Sequence, residues 1–314
     1  MYFPFLRARQ FELIALRELA IEEATQRVIT PILEPVKEAH NNLTLAHKIF
    51  LDKDQKAYLI VNPTIGELAG DSDIYLQFLQ TLEEGVFMPA FHYRNNAAFI
   101  INSIAQFQSS NCMIICQNDT SSEDIQFKRL VEKTEVCSIT VSDPNKNRSL
   151  HRFLKSLDKD YIRLDDLFEK QARNSDYLDI EGHKFSEEHI YFDVEGFTGY
   201  SDYTVLPSEY IDGGSTPRAV AIHITYLKDE NQIWIRHFTS NTNDSIANVQ
   251  GKFAEAAEKA VIFCKENGIN NSAITELESY YENQHYPGLG TVKKISIKNH
   301  ILVLSSYLKK QIIL

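Results

Sequence analysis

Seven short apolar runs recur through the first half of this chain, their starts separated by roughly 24 to 29 residues, the length of one strand, one helix and two loops. They are YFPFL (2–6), ITPIL (29–33), AYLIV (57–61), VFMPAF (86–91), CMIIC (112–116), CSITV (137–141) and YIRL (161–164). Most are apolar throughout instead of strictly alternating, as strands covered on both faces are. Between them lie stretches with helical periodicity. RQFELIALRELAIEEATQRV sets Phe11, Leu13, Ile14, Leu16 and Leu19 largely on one stripe, and SDIYLQFLQTLEEG, NNAAFIINSIAQF, SSEDIQFKRLVEKT and NRSLHRFLKSLDKD repeat the pattern. Ser72 and Ser122 stand where helices should begin, and Gly85 closes one before the next strand.

Strand and helix in strict alternation predict a parallel sheet clothed by helices. The eighth strand is expected at YTVL (203–206), after an insertion at about 175–202 that includes EEHIYFDVEGFTGYSD. Even spacing, and the lack of any GxGxxG or GxxxxGK(S/T) loop, favour an α/β chain of the TIM-like (β/α)8 barrel type over a doubly wound open sheet. After Pro207 the texture changes: nine of the 12 glycines lie from Gly182 onward, only Gly66, Gly70 and Gly85 preceding it. AVAIHITYL and QIWIRHF, joined by a short polar turn, predict a β-hairpin, and two or three helices follow. The expected organisation is a barrel over 1–207 with the insertion, and a hairpin and helical extension over 208–314 packed on it.

The chain has 314 residues, 43% hydrophobic and 24% charged, with ample apolar material for a core. Its net charge of −11 argues against direct nucleic-acid binding and against an anionic lipid surface. Cys112, Cys116, Cys137 and Cys264 form no CxxC, so they read as thiols in a reducing compartment. No stretch approaches the roughly 18 apolar residues of a membrane span. The opening MYFPFLRARQFELIAL has no small-residue cleavage site, and the expected location is the bacterial cytoplasm.

In a (β/α)8 barrel the functional residues collect at the C-terminal ends of the strands. Reading them off gives Arg7 and Arg9, Glu34, Asn62, His92 and Arg94, Asn118 and Asp119, Asp143, Asp165 with Asp166, and Asp202 with Tyr203. Glu34, Asp143, Asp165 and Asp202 are the candidates for acid, base or divalent-metal ligand. Arg7, Arg9, Asn62, His92, Asp119 and Tyr203 are candidates for holding a ligand, the arginines through an anionic group such as phosphate. Any one of these carboxylates is equally at home capping a helix or a turn. Arg236, which alternates with Trp234 in the hairpin, is a further candidate for a ligand or partner contact. HExxH, HxH and GxSxG are absent, which argues against zinc peptidases and α/β-hydrolases.

YFPFLRARQFELIALREL, TPILEPV, GFTGYSDYTVLP, AVAIHITY with IWIRHFTSNTND, and HYPGLGTVKKISIKNH together resemble the uncharacterised bacterial proteins known as the beta-protein family. The resemblance runs inward from both ends, with little contribution from about 65 to 150. Its matching positions are Arg7, Arg9, Phe11, Glu12, Glu34, Pro35, Asp202, Tyr203, Tyr226, Trp234 and Arg236. It implies a bacterial or phage-associated cytosolic protein of a small accessory gene cluster, and no established reaction. Two functions follow as expectations. One is a component of an accessory module, of the anti-phage defence or toxin–antitoxin kind, whose polar barrel mouth binds a ligand or a partner enzyme encoded nearby. The other is a barrel hydrolase or lyase acting on a phosphorylated or nucleotide-like substrate, with a divalent metal compatible with its carboxylates.

Overall fold

The computed structural model describes residues 1–213 and 218–313. Strands β1 (Phe5–Leu6), β2 (Ile32–Leu33), β3 (Ala57–Ile60), β4 (Phe87–His92), β5 (Cys112–Cys116), β6 (Val136–Ser142) and β7 (Asp160–Asp165) pair in parallel, each with the next in the chain. The chain then leaves for a second sheet at β8 (Gly182–Ser186) and returns as β9 (Gly199–Asp202), parallel to β7. Tyr2 bridges Tyr200 in parallel, Phe3 N–H donates to the Tyr200 carbonyl at 2.9 Å, and Tyr200 N–H donates to the Met1 carbonyl at 3.1 Å. These contacts bring the eighth strand to the segment that leads into the first and nearly close the sheet on itself. The fold is a TIM-like (β/α)8 barrel.

Helices α1 (Gln10–Ile21), α2 (Asn41–Asp52), α3 (Ile74–Gln80), α4 (Ala97–Gln106), α5 (Ile125–Val131) and α6 (Arg148–Lys155) alternate with the strands. Because side chains alternate across a strand, one set fills the barrel and the other meets the helices. The inward set, Phe5, Ile32, Tyr58, Ile60, Ala90, Met113, Ile115, Ile162 and Leu164, forms one buried cluster. The outward set, including Leu33, Leu59, Phe91, Ile114, Ile139 and Val141, packs under the helices. Continuous apolarity of the strands thus reflects two different cores. The cysteines are free, and burial pushes the thiols of Cys112, Cys116 and Cys264 up to about 12.

Only a single helical turn, α7 (Glu188–Tyr191), lies between β8 and β9. The predicted hairpin forms as β10 (Ala221–Leu227) and β11 (Ile233–Thr239), with His223 opposite His237, and β8 adds a third antiparallel strand alongside β11. One face of this sheet, with Ile222, Ile224 and Phe238, packs on α8 (Val249–Glu266) and α9 (Ser272–Glu282) through Phe253, Ala257, Ile274 and Leu277. The other, with Ile233 and Ile235, joins the cluster on the outside of the barrel. The last helix, α10 (Leu289–Ile313), lies along α1: Lys294 and Lys298 reach Glu18 at 2.7 and 3.0 Å, and Lys298 reaches Glu22 at 2.6 Å. It occupies the place of the barrel's eighth helix. Among the described residues no helix is long and apolar enough to cross a membrane.

The helices expected to start at Ser72 and Ser122 have Asp73 and Asp124 at their N-caps, and two details of the strands differ from the sequence expectation. The eighth strand is Gly199–Asp202 and not 203–206, because the Asp202 carboxylate accepts the Thr204 N–H at 2.8 Å and Thr204 takes a φ of +57°, turning the chain off the barrel. The insertion also supplies a strand, β8, whose sequence GHKFS carries one large apolar residue; cross-strand pairing with the hairpin, not hydropathy, holds it.

Candidate ligand-binding site

The mouth of the barrel is built by the next inward step of each strand. Beyond Phe5, Ile32, Ile60 and Ala90 the period of two brings Arg7, Glu34, Asn62 and His92 to the centre. The Glu34 side chain is 1% exposed. Its Oε1 accepts the Thr64 N–H at 2.8 Å, the Thr64 hydroxyl at 2.9 Å and His92 Nε2 at 3.1 Å, while Oε2 takes Arg7 Nη1. Burial by itself raises this carboxyl, but the hydrogen bond and proximity of His92, the Arg7 guanidinium and the Thr64 N–H outweigh it and hold it at about 2. Three donors crowd Oε1, while Oε2 takes Arg7 alone and keeps one lone pair. Glu34 is therefore an ionised hub held from four directions.

Around it the partners are also fixed. Asn62 Nδ2 donates to the His92 carbonyl at 3.0 Å and its Oδ1 accepts the His92 N–H at 2.8 Å, locking β3 to β4 at the mouth. The Arg7 guanidinium carbon lies 5.2 Å from the Phe5 ring centroid and 5.1 Å from that of Tyr203, and Nη2 donates to the Ser208 carbonyl. Ser208 N–H in turn donates to Asp166 at 3.1 Å, so the segment after β9 is tied down over the mouth from both sides. Burial pushes the Tyr203 phenol up to about 12, against the opposing pull of Arg7.

Not every expected residue joins this centre. Asp165 and Asp202 fall on the opposite parity and face outward, away from the mouth, a correction that follows from the period of two. Asp165 accepts Arg163 Nε at 2.5 Å, and Arg163 also pairs with Glu188 at 2.8 Å and Glu195 at 2.9 Å, fastening β7 to α7 and the turn after it. Burial raises the Asp165 carboxyl despite Arg163. Asp202, fully buried, accepts Tyr2 and Tyr200 hydroxyls at 2.7 Å each, the Thr204 N–H and His300 Nε2 at 3.2 Å, behind the barrel wall. Asp143 is on the rim, at φ +46°, paired with Lys146 at 2.9 Å, and Asp119 is exposed beyond β5. Arg236 is remote, stacked 4.7 Å from the Phe263 ring and paired with Glu181 at 3.5 Å on the second sheet. Among the described residues no three His, Cys, Asp or Glu side chains are grouped to hold a metal ion.

Arg9 instead lines a cavity of about 260 Å³ at the rim, together with Lys37, Gln10 and Asn42. Gln10 and Asn42 belong to the first turns of α1 and α2, at the positive ends of two helix dipoles; in α1 the Glu12 carboxylate already shares that turn and accepts the Arg9 N–H at 3.4 Å. Arg9 also lies 5.9 Å from the Tyr210 ring, and Lys37 pairs with Glu67 at 3.0 Å and Asp212 at 3.3 Å. Lys37 was not among the expected site residues. Its signal is the EPVK run, which sets it three residues beyond Glu34. Thr64 and His300 carry no comparable signal, because their partners lie 30 and 98 residues away.

No protein-family model matches the chain, and no curated protein matches it. Among solved structures it is similar to N-acetylneuraminate lyase from Fusobacterium nucleatum complexed with pyruvate, at 12% identity over 99% of this chain and 96% of that one, with a TM-score of 0.43. A second structure of N-acetylneuraminate lyase from the same organism gives 12% identity over 99% and 97%, with a TM-score of 0.38. The barrel assignment stands on the strand order and register described above.

Proposed function

We propose that this chain binds a phosphorylated or other anionic small molecule at the rim of its barrel. In this reading it acts as the ligand-sensing component of a bacterial accessory module, of the defence or toxin–antitoxin kind, and the module's chemistry lies in a partner protein. The observation that carries the binding reading is the rim cavity, where Arg9 and Lys37 stand beside the first turns of α1 and α2. Two cations and two helix N-termini on one concave surface suit an anion. Asp202, with two donors on each oxygen, and Glu34, with Thr64 and His92 on Oε1 and Arg7 on Oε2, support a structural role for both carboxylates. The accessory-module part rests on the sequence resemblance alone.

Thermal unfolding with inorganic phosphate, nucleotides and sugar phosphates tests the binding. A compound present at about 100 times its Kd stabilises the fold by about 2.7 kcal/mol, a rise of a few degrees for a chain of this size. Lys37→Ala, which alters an exposed side chain, is expected to abolish the rise without lowering the ligand-free midpoint. No rise with any anion, or a rise indifferent to Lys37, sinks the proposal. A barrel hydrolase or lyase predicts instead turnover of one of these compounds by the purified chain.

A further inference from the structure

A second concavity lies far from the barrel mouth, in the helical extension. A groove of about 650 Å³ opens between α8, α9 and the turn that follows α9. Its wall is aromatic: Phe253 is buried beneath Tyr286, ring centroids 5.5 Å apart, and the half-buried Tyr280 and Tyr281 flank it. Its charge is of one sign. Glu255, Glu258 and Glu282 line it with His285, and no lysine or arginine does so among the described residues. Glu255 is committed to the N–H groups of Asn241 and Thr242, at 2.8 and 2.9 Å, and Glu282 has only the exposed Lys265 at 3.8 Å. Glu258 is exposed and has no ion-pair partner among the described residues.

From this geometry we infer that the groove is a docking site for an arginine-bearing segment of a partner protein. Tyrosine faces and carboxylates together are complementary to a guanidinium, which stacks on an aromatic ring while its N–H fork meets a carboxylate; an ammonium does only part of this. The volume is in the range of ligand pockets and exceeds what one side chain fills. Gln250 Nε2 donates to the Gln284 carbonyl at 3.2 Å, which leaves the Gln250 Oε1 and the Gln284 amide on the lining for the backbone that flanks the arginine. A net charge of −11 on the whole chain steers a basic partner toward it. The inference is independent of the rim cavity, which shares no residue with the groove.

The test is fluorescence anisotropy of a labelled peptide, Gly-Ser-Arg-Gly-Arg-Ser, titrated with the full chain. Binding that weakens with salt is expected, with the lysine version of the peptide weaker. Tyr281→Ala should weaken binding about tenfold, the scale of a partly desolvated cation–π contact. Glu258→Gln should weaken it about threefold, and because Glu258 is exposed this variant keeps the readout if Tyr281→Ala perturbs the helices. Absence of binding, or binding indifferent to both substitutions, overturns the inference. So does displacement by spermidine at concentrations where free arginine does not compete, which marks a polyamine site and not a protein dock.

Discussion

The Asp202 carboxylate and the His300 imidazole, 98 residues apart in the chain, meet at 3.2 Å in a fully buried contact between the barrel's last strand and its last helix. His300 Nδ1 lies 3.2 Å from the Thr225 hydroxyl, so the same ring touches the second sheet. Burial raises the Asp202 carboxyl, but His300, Tyr200 and Tyr2 more than offset it and leave the pKa below its ordinary value. The group thus joins three layers: barrel, sheet and α10. Asp202→Ala leaves two tyrosine hydroxyls and an imidazole without their acceptor and is expected to cost about 3–5 kcal/mol, as for a broken buried pair. Urea denaturation measures it, and a loss under about 1 kcal/mol would contradict the role assigned to this contact.

Three histidines, His189 and His237 buried and His223 partly so, give the fold an acid limit. Burial lowers His189 and His237 to about 4, and burial with the proximity of His237 lowers His223 to about 3, from an ordinary value of 6.5. Their folded pKa values lie below the unfolded one, so between them the unfolded chain binds more protons than the folded chain. Stability is then full above pH 6.5 and drains as pH falls from 6.5 toward 4. Glu34, held at about 2 from an ordinary 4.5, begins to lose its contribution only below pH 4.5. The histidines therefore lower the urea midpoint between pH 7.5 and 5, while the raised carboxyls of Glu12, Asp165 and Glu188, which take up protons sooner in the folded chain, act in the opposite sense toward the acid end. The paired variant His223→Asn, His237→Asn should flatten that slope; an unchanged slope would assign it elsewhere.

The barrel is legible in the sequence because most of its strands carry apolar side chains on both faces and alternate evenly with helices, the pattern of a helix-clad parallel sheet. Its closing strand is not, since GYSD carries tyrosine, serine and aspartate whose polar groups are satisfied in ways hydropathy does not show: Tyr200 by Asp202 two residues on, Asp202 also by Tyr2 and His300 of α10, and Ser201 by the Phe3 carbonyl at 2.5 Å. The residues of the site are legible as strand ends, but their side is set by parity, which needs the strand register to within one residue. The inward step carried Arg7, Glu34, Asn62 and His92 to one centre, while the same reasoning without register placed Asp165 and Asp202 with them. α10 gives no sequence sign of being a barrel helix, because a hairpin and two other helices intervene between it and the strand it covers.

Barrel closure depends on the absence of a side chain at Gly199. A Cβ there would run into the Phe3 ring and come within 2.9 Å of the Met1 carbonyl oxygen, at the seam where β9 meets the N-terminal segment. The Met1 carbonyl is itself the acceptor for the Tyr200 N–H. Gly199→Ala is expected to destabilise by about 1–3 kcal/mol through overpacking. The loss should appear in hydrogen exchange as faster exchange of the Phe3 and Tyr200 amides, which bond across the seam. Exchange that stays at the wild-type rate would mean the seam is not what holds the barrel shut.

Glu34 and Asp143 are both strand-end carboxylates, yet their substitutions should behave oppositely. Glu34→Ala strips the acceptor from Arg7, His92 and both Thr64 donors in a site shielded from water, and is expected to cost about 3–5 kcal/mol. Asp143 is half-exposed, its partner Lys146 more so, and its left-handed backbone suits asparagine as well as aspartate. Asp143→Asn is accordingly expected to leave stability within about 0.5 kcal/mol. Urea midpoints for the two variants decide this. A Glu34→Ala protein as stable as wild type, combined with lost turnover of a phosphorylated compound, would return Glu34 from structural hub to catalytic group. If instead stability falls and no turnover is found in either protein, the carboxylate at the centre of the mouth serves to hold four strand-end and loop groups together, and ligand chemistry is confined to the rim.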